Sequence, residues 1–108
     1  MTSYIEDRRY FPTGYDPSNG KHEWNISPFT VFVTYRGNGK WMVSRSGREP
    51  HVQLSLTGRW LWMPLKMTQM RWCRFDFETA CRLADEVVDS VVINGRTWQQ
   101  VLDWWAEK

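Results

Sequence analysis

The chain has 108 residues, a formal net charge of +2 and eight tryptophans. This length predicts one domain whose core needs no metal or disulfide, and the small net charge identifies no class of partner. No N-terminal stretch resembles a signal peptide, and the longest uncharged apolar run, Trp60–Leu65, is too short to span a bilayer. We therefore expect a cytoplasmic protein without membrane partners, with some of its tryptophans at a binding surface.

In residues 1–28, the apolar residues recur with neither the period of a helix nor that of a strand. Turn-forming residues recur there, namely Pro12, Gly14, Asp16, Pro17, Asn19 and Gly20. Five aromatic residues lie among them: Tyr4, Tyr10, Phe11, Tyr15 and Trp24. Because a disordered tail seldom carries so many aromatic residues, we predict an irregular arm that packs on a domain formed by residues 29–108. An arm that becomes ordered only on a partner is the alternative.

Four segments after the arm alternate in the way that strands do. They are Phe29–Arg36, Lys40–Ser46, His51–Leu56 and Arg59–Met63. The first two are joined by Gly37, Asn38 and Gly39, which tolerate the positive φ angles of a hairpin turn. We predict a fifth strand at Arg71–Phe75. Short connections between successive strands favour an antiparallel meander.

The C-terminal third predicts two helices. After Asp76, a suitable N-cap, apolar residues recur at intervals of three and four from Phe77 to Val88. Val91–Ile93 is predicted as a short strand or a buried linker. Thr97 and Gln100 then have the spacing of a capping box, and they begin a second, shorter helix. The predicted fold is α+β, with a meander of about five strands and one long and one short C-terminal helix packed on it.

The two faces of this sheet differ in composition. The face that we expect the long helix to cover is apolar: Val31, Val33, Tyr35, Trp41, Val43, Val52, Leu54, Leu56, Trp60, Trp62, Cys73 and Phe75. The second face mixes apolar and basic residues: Phe32, Met42, Leu61, Met63 and Trp72 with Arg36, Lys40, Arg59 and Arg74. Because a solvated face should be mostly polar, we expect a cover from the arm, the last helix, a second copy of the chain or another molecule.

The side chains that usually carry catalysis are sparse. His22 and His51 are not spaced as metal ligands are. Cys73 and Cys81 are expected to be free thiols buried in the core. We therefore predict no metal and no cofactor. Ser44, Ser46 and Ser55 lie near His51 in the sequence, as a nucleophile and its base would, but most chains of this length offer such a coincidence. The glycines form no phosphate loop. We do not expect an enzyme.

A protein-binding function is favoured, because tryptophan, tyrosine, methionine and arginine are enriched in interface cores. The candidate interface residues are Phe32, Arg36, Met42, Arg59, Trp72, Arg74 and Trp104. A single-stranded nucleic acid that stacks on the sheet aromatics is the alternative. Residues 36–74 carry eight basic residues and one acidic residue, a net charge of +7, whereas residues 75–108 carry three and seven, a net charge of −4. The acidic helix disfavours a long nucleic-acid strand.

From Trp41 to Trp105 the layout resembles small accessory proteins encoded by phages of actinobacteria. The resemblance rests on Leu54, Ser55, Gly58 and Trp60, then Arg74, Phe75, Ala80 and Ala84, then Asn94, Gly95, Thr97 and Trp98. It implies a protein that acts in the host cytoplasm by binding a host or defence protein, and it carries no catalytic residue across. Whether the protein forms a homodimer stays open.

Overall fold

The computed structural model describes residues 7–16, 18, 26–45, 52–62 and 66–106. Within these ranges five strands form one antiparallel sheet in chain order, which confirms the predicted meander. The strands are β1 Arg8–Tyr10, β2 Val31–Tyr35, β3 Trp41–Arg45, β4 Val52–Leu54 and β5 Trp60–Trp62. The helices are α1 Met67–Trp72, α2 Phe77–Val87 and α3 Trp98–Ala106, with 3-10 turns at Ser27–Phe29 and Val88–Ser90. The fold is α+β, as predicted.

One of the five predicted strands is wrong, and the sheet contains a different one. Residues 67–72 form helix α1, so Arg71–Phe75 is not a strand, and Phe75 alone bridges to Trp41. Methionine, glutamine and arginine are good helix formers, and this preference outweighs the local alternation around Trp72. The missing strand is β1, which comes from the arm and pairs with β2.

The described part of the arm therefore contains a strand, and it packs on the domain. The Thr13 backbone N–H and hydroxyl group donate hydrogen bonds to the two carboxylate oxygens of Asp89, at 2.6 and 2.9 Å. Phe11 and Tyr15 lie against the core, with their ring centroids 4.9 Å apart. These contacts hold the described part of the arm against the end of α2. Tyr4 and Trp24 lie outside the described residues.

Helix α2 covers the centre of the first sheet face. It packs on β2 and β3, where Val31, Val33 and Val43 are fully buried. Its own buried residues there, Ala80 and Ala84, are small, which allows the helix to lie close to the sheet. The predicted N-cap is confirmed, because the Asp76 carboxylate accepts a 2.8 Å hydrogen bond from the Thr79 backbone N–H.

Helix α3 closes a second side of the core. Its predicted capping box is confirmed: the Thr97 N–H donates to Gln100 Oε1 at 2.9 Å, and the Gln100 N–H donates to Thr97 Oγ1 at 3.3 Å. The cap places Trp98 in the core, 5.4 Å from the ring of Phe29 and 5.7 Å from that of Trp105. Of the helices in the described ranges, none is both long and apolar enough to span a bilayer.

Two residues predicted to lie in the core are exposed. Leu56 is 64% exposed and Trp62 is 71% exposed. The main contacts of α2 are with β2 and β3, whereas β5 lies at the edge of the sheet and Leu56 follows the end of β4. The sheet is therefore covered only near its middle, and its β5 edge is the part that presents apolar side chains to solvent.

Candidate protein-binding surface

Five of the large exposed apolar side chains come from one stretch of the chain. They are Leu56, Trp62, Met67, Met70 and Trp72, and their exposed fractions lie between 36% and 79%. We call these five residues, together with the basic residues Arg59, Lys66 and Arg71 of the same stretch, the edge surface. Such a group of large apolar side chains on the outside of a small protein marks an interaction site more often than chance.

A backbone hydrogen bond joins the two ends of the edge surface. The Leu56 N–H donates to the carbonyl oxygen of Trp72 at 2.8 Å, so the residue after β4 and the last residue of α1 are neighbours. On α1, Met67 lies three residues before Met70 and four before Arg71, which places all three on one side of the helix. The bond thus brings the start of the β4–β5 turn and the end of α1 together, and Trp62 of β5 belongs to the chain segment between them.

The turn between β4 and β5 is organised by Ser55, which is buried. Its hydroxyl oxygen accepts a hydrogen bond from the Arg59 N–H at 3.2 Å and lies 2.9 Å from Thr57 Oγ1. Its carbonyl oxygen accepts from the Gly58 N–H at 3.0 Å, and Gly58 has a φ of +81°, where a side chain would be strained. These bonds fix the position of Arg59 beside Leu56.

The edge surface is basic and contains no acidic side chain. Arg59, Lys66 and Arg71 are exposed, and the sequence has no aspartate or glutamate between Glu49 and Asp76. Exposed cations beside apolar side chains attract a negatively charged surface during association.

The centre of the second sheet face is covered by the chain itself. Met42, Ser44 and Gln53 are each 2% exposed in the single chain, without any partner. This overturns the prediction that Met42 is an interface residue, because the alternation of β3 shows only which face a side chain takes and not what covers that face. A cover from within the chain accounts for the apolar residues there.

Arg74 belongs to that cover. Its Nη1 donates to Gln53 Oε1 at 2.8 Å and to the carbonyl oxygen of Cys73 at 3.1 Å. Burial, and then the nearby charge of Arg36, lower the pKa of Arg74. Arg74 is half-buried, whereas Arg36 is exposed at the end of β2. Arg74 therefore stabilises the sheet, and Arg36 lies beside it and not on the edge surface.

Phe32 and Trp104 lie in two other places. Phe32 is half-buried on β2 and lines a cleft of about 240 Å³ with Arg9, Phe11 and Tyr15. Trp104 is exposed on α3, with the Arg96 guanidinium 5.0 Å from its ring centroid. A second cleft, of about 260 Å³, adjoins α3 and is lined by Pro28, Phe29, Ile93, Asn94, Arg96, Trp98, Val101 and Trp105.

Of the seven predicted interface residues, the structure therefore brings Arg59 and Trp72 together. Sequence reasoning missed Leu56, Trp62, Met67, Met70 and Arg71. The signal that would have found them is the long interval without acidic residues, which holds more large apolar side chains than one face of two short strands can bury.

The described residues contain no group of three or more histidine, cysteine, aspartate or glutamate side chains that could hold a metal ion. His22 and His51 lie outside the described ranges. Cys73 and Cys81 are free thiols, and burial raises the pKa of the Cys73 thiol, which keeps it protonated and unreactive. What the described exposed side chains offer chemically is an apolar and cationic contact surface.

Comparison of the chain with protein-family models, with curated proteins and with solved structures found no significant match.

Proposed function

We propose that this protein is a non-enzymatic binding protein whose edge surface engages a protein partner. The observation that carries the proposal is the group of exposed side chains of Leu56, Trp62, Met67 and Trp72, of which Trp62 lies on the edge strand β5. Burying one large apolar side chain contributes about 1.5–3 kcal/mol, so several of them can offset the entropy that association costs.

The charge of the edge surface defines the chemistry of the partner. Arg59, Lys66 and Arg71 favour a protein whose contact region is apolar at its centre and acidic at its rim. The resemblance to phage accessory proteins suggests a host or defence protein in the host cytoplasm. That biological context stays a prediction, and the proposal depends on the exposed residues alone.

The test compares four tagged forms of the protein, the wild type and three variants, each incubated with lysate of the natural host. Trp72→Ser removes an exposed ring of the edge surface, and Arg71→Glu reverses one of its charges. Val92→Thr is the matched control, because Val92 is 50% exposed and belongs to no part of the edge surface. The proposal predicts one protein that the wild type and Val92→Thr retain and that Trp72→Ser and Arg71→Glu release.

The captured protein must also be released as salt rises, since exposed charges attract each other less at high ionic strength. Retention by all four forms, or by none, contradicts the proposal. Treatment of the lysate with nuclease tests the alternative, which is binding of a single-stranded nucleic acid. Trp62 and Trp72 are exposed rings on which bases could stack, and Arg59 and Arg71 in the same stretch could contact phosphates. Loss of capture after nuclease treatment would favour that alternative.

A further inference from the structure

The sheet has two edge strands, and they differ in charge. The strand order places β1 at one edge and β5 at the other. β1 carries Arg8 and Arg9, and charged residues on an edge strand prevent pairing with other chains. β5 has the sequence Trp60-Leu61-Trp62 and carries no charge. By this criterion the β5 edge is the one that is open to another strand.

The hydrogen-bond pattern shows which backbone groups of β5 face outward. The Ser55 N–H donates to the Arg59 carbonyl oxygen at 2.8 Å, so these two residues form a hydrogen-bonded pair. In an antiparallel ladder such pairs alternate with pairs that are not bonded, which makes Gln53 and Leu61 the next bonded pair. The N–H and C=O groups of Leu61 therefore face β4. Those of Trp60 and Trp62 face away from it.

We infer that the β5 edge binds an extended, acidic segment of the partner as a sixth antiparallel or parallel strand. This inference rests on the proposed function, since it specifies how the partner is bound at the edge surface. The outward groups of Trp60 and Trp62 would bond to the backbone of the added strand. Arg59, which precedes β5 and is exposed, would lie beside an acidic side chain of that strand.

A second copy of the chain fits the same edge less well. Pairing two copies of β5 would bring the basic stretch 59–71 of one copy against that of the other, and this stretch itself contains no aspartate or glutamate. Like charges that face each other across paired strands destabilise the pairing. Charge complementarity therefore favours a different chain with acidic residues.

Amide hydrogen exchange, followed by NMR, tests the open edge in the protein alone. The Trp60 and Trp62 amide hydrogens should exchange rapidly and that of Leu61 slowly, because only the Leu61 amide is bonded to β4. Slow exchange of the Trp62 amide, together with the mass of a dimer in solution, would mean that a second copy occupies the edge and would overturn the inference.

The probes for the added strand are two synthetic peptides, one of alternating glutamate and valine and one of alternating lysine and valine. The acidic peptide should slow exchange at Trp60 and Trp62 and leave Trp104 unchanged, and the basic peptide should have no effect. If neither peptide slows exchange at millimolar concentration, or both do so equally, the inference is wrong.

Two variants at one position separate the backbone contribution from that of the ring. Trp62→Ala removes the ring, whereas Trp62→Pro also removes an N–H group that β4 does not use, so the sheet should tolerate it. The acidic peptide should bind Trp62→Pro roughly tenfold more weakly than Trp62→Ala, the loss expected for one backbone hydrogen bond. If both variants bind the captured host protein equally, edge pairing fails while the proposed function stands. Should Trp62→Pro not fold, the exchange measurements on the wild type still decide.

Discussion

The backbone N–H of Leu56 donates a hydrogen bond to the carbonyl oxygen of Trp72, and this 2.8 Å contact joins two segments that are separated by a strand and a helix. It sets the end of α1 beside the residue that follows β4. As a result, the exposed side chains of both segments belong to one region of the protein.

The first prediction compares two leucines that are two residues apart. Leu54 is fully buried in the hydrophobic core, whereas Leu56 is 64% exposed. We expect Leu54→Ala to lower the free energy of unfolding by about 2–5 kcal/mol, because it leaves a cavity in the core. Leu56→Ala should change it by less than about 1 kcal/mol. Urea unfolding of both variants measures the difference, and equal losses would place Leu56 in the core.

The second prediction concerns the cap of α3. Thr97→Ala removes the hydroxyl oxygen that accepts from the Gln100 N–H, and we expect the free energy of unfolding to fall by about 0.5–2 kcal/mol. Thr97→Ser keeps a hydroxyl group and should restore most of the stability. Thermal unfolding followed by circular dichroism measures both. A serine variant as unstable as the alanine variant would show that the methyl group, and not the cap, matters.

The third prediction is a dependence of stability on pH. Hydrogen bonds from Thr79 lower the pKa of Asp76 below its ordinary value of 3.8. A carboxylate whose pKa is lowered by folding stabilises the fold above its unfolded pKa, and the contribution is lost as the pH falls through the folded value. In Asp76→Asn, the free energy of unfolding should therefore fall less steeply than in the wild type as the pH drops below 3.8. Urea unfolding at a series of acidic pH values measures this difference.

Asp16 is the group to control for in that experiment, because hydrogen bonds from Ser18 also lower its pKa from 3.8. In the double variant Asp16→Asn and Asp76→Asn, the free energy of unfolding should depend on pH less steeply than in Asp76→Asn alone. Stability curves of the wild type and Asp76→Asn that run parallel through this acidic range would contradict the assignment of Asp76 as a charged cap.

The fourth prediction distinguishes Arg74 from Arg36. Arg74→Met removes a hydrogen bond to the side chain of the buried Gln53, and we expect a loss of about 1–3 kcal/mol in the free energy of unfolding. Arg36→Met alters an exposed side chain and should change it by less than about 0.5 kcal/mol. Capture of the partner should survive in both variants. If Arg74→Met is as stable as the wild type but no longer captures the partner, Arg74 belongs to the interface and not to the cover of the sheet.

The parts of the fold that local chemistry determines were predictable from sequence. The Asp76 cap and the box of Thr97 and Gln100 each depend on side chains that reach backbone groups within four residues, and both are confirmed. The turn at Gly37, Asn38 and Gly39 is confirmed as well, with positive φ at all three residues. Such signals need no knowledge of distant contacts.

The remaining features depend on contacts between distant segments. Alternation along β3 places Met42 on the second face, but it cannot show that the chain covers that face. Alternation likewise places Trp62 on the helix-bearing face, but it cannot show that the main contacts of α2 are with β2 and β3. Arg59 and Trp72 were found because tryptophan and arginine are typical of interfaces, whereas the exposed leucine and methionines of the edge surface resemble core residues in a sequence.

The most direct measurement of the central claim is the solvent contact of individual tryptophans, by fluorine NMR of protein labelled with fluorotryptophan in the presence of a soluble paramagnetic agent. In the free protein, the Trp62 and Trp72 resonances should broaden strongly and that of Trp98 should stay sharp. When the captured partner is added, broadening should disappear at Trp62 and Trp72 and persist at Trp104. Sharp Trp62 and Trp72 resonances in the free monomer, or partner protection confined to Trp104, would contradict the account.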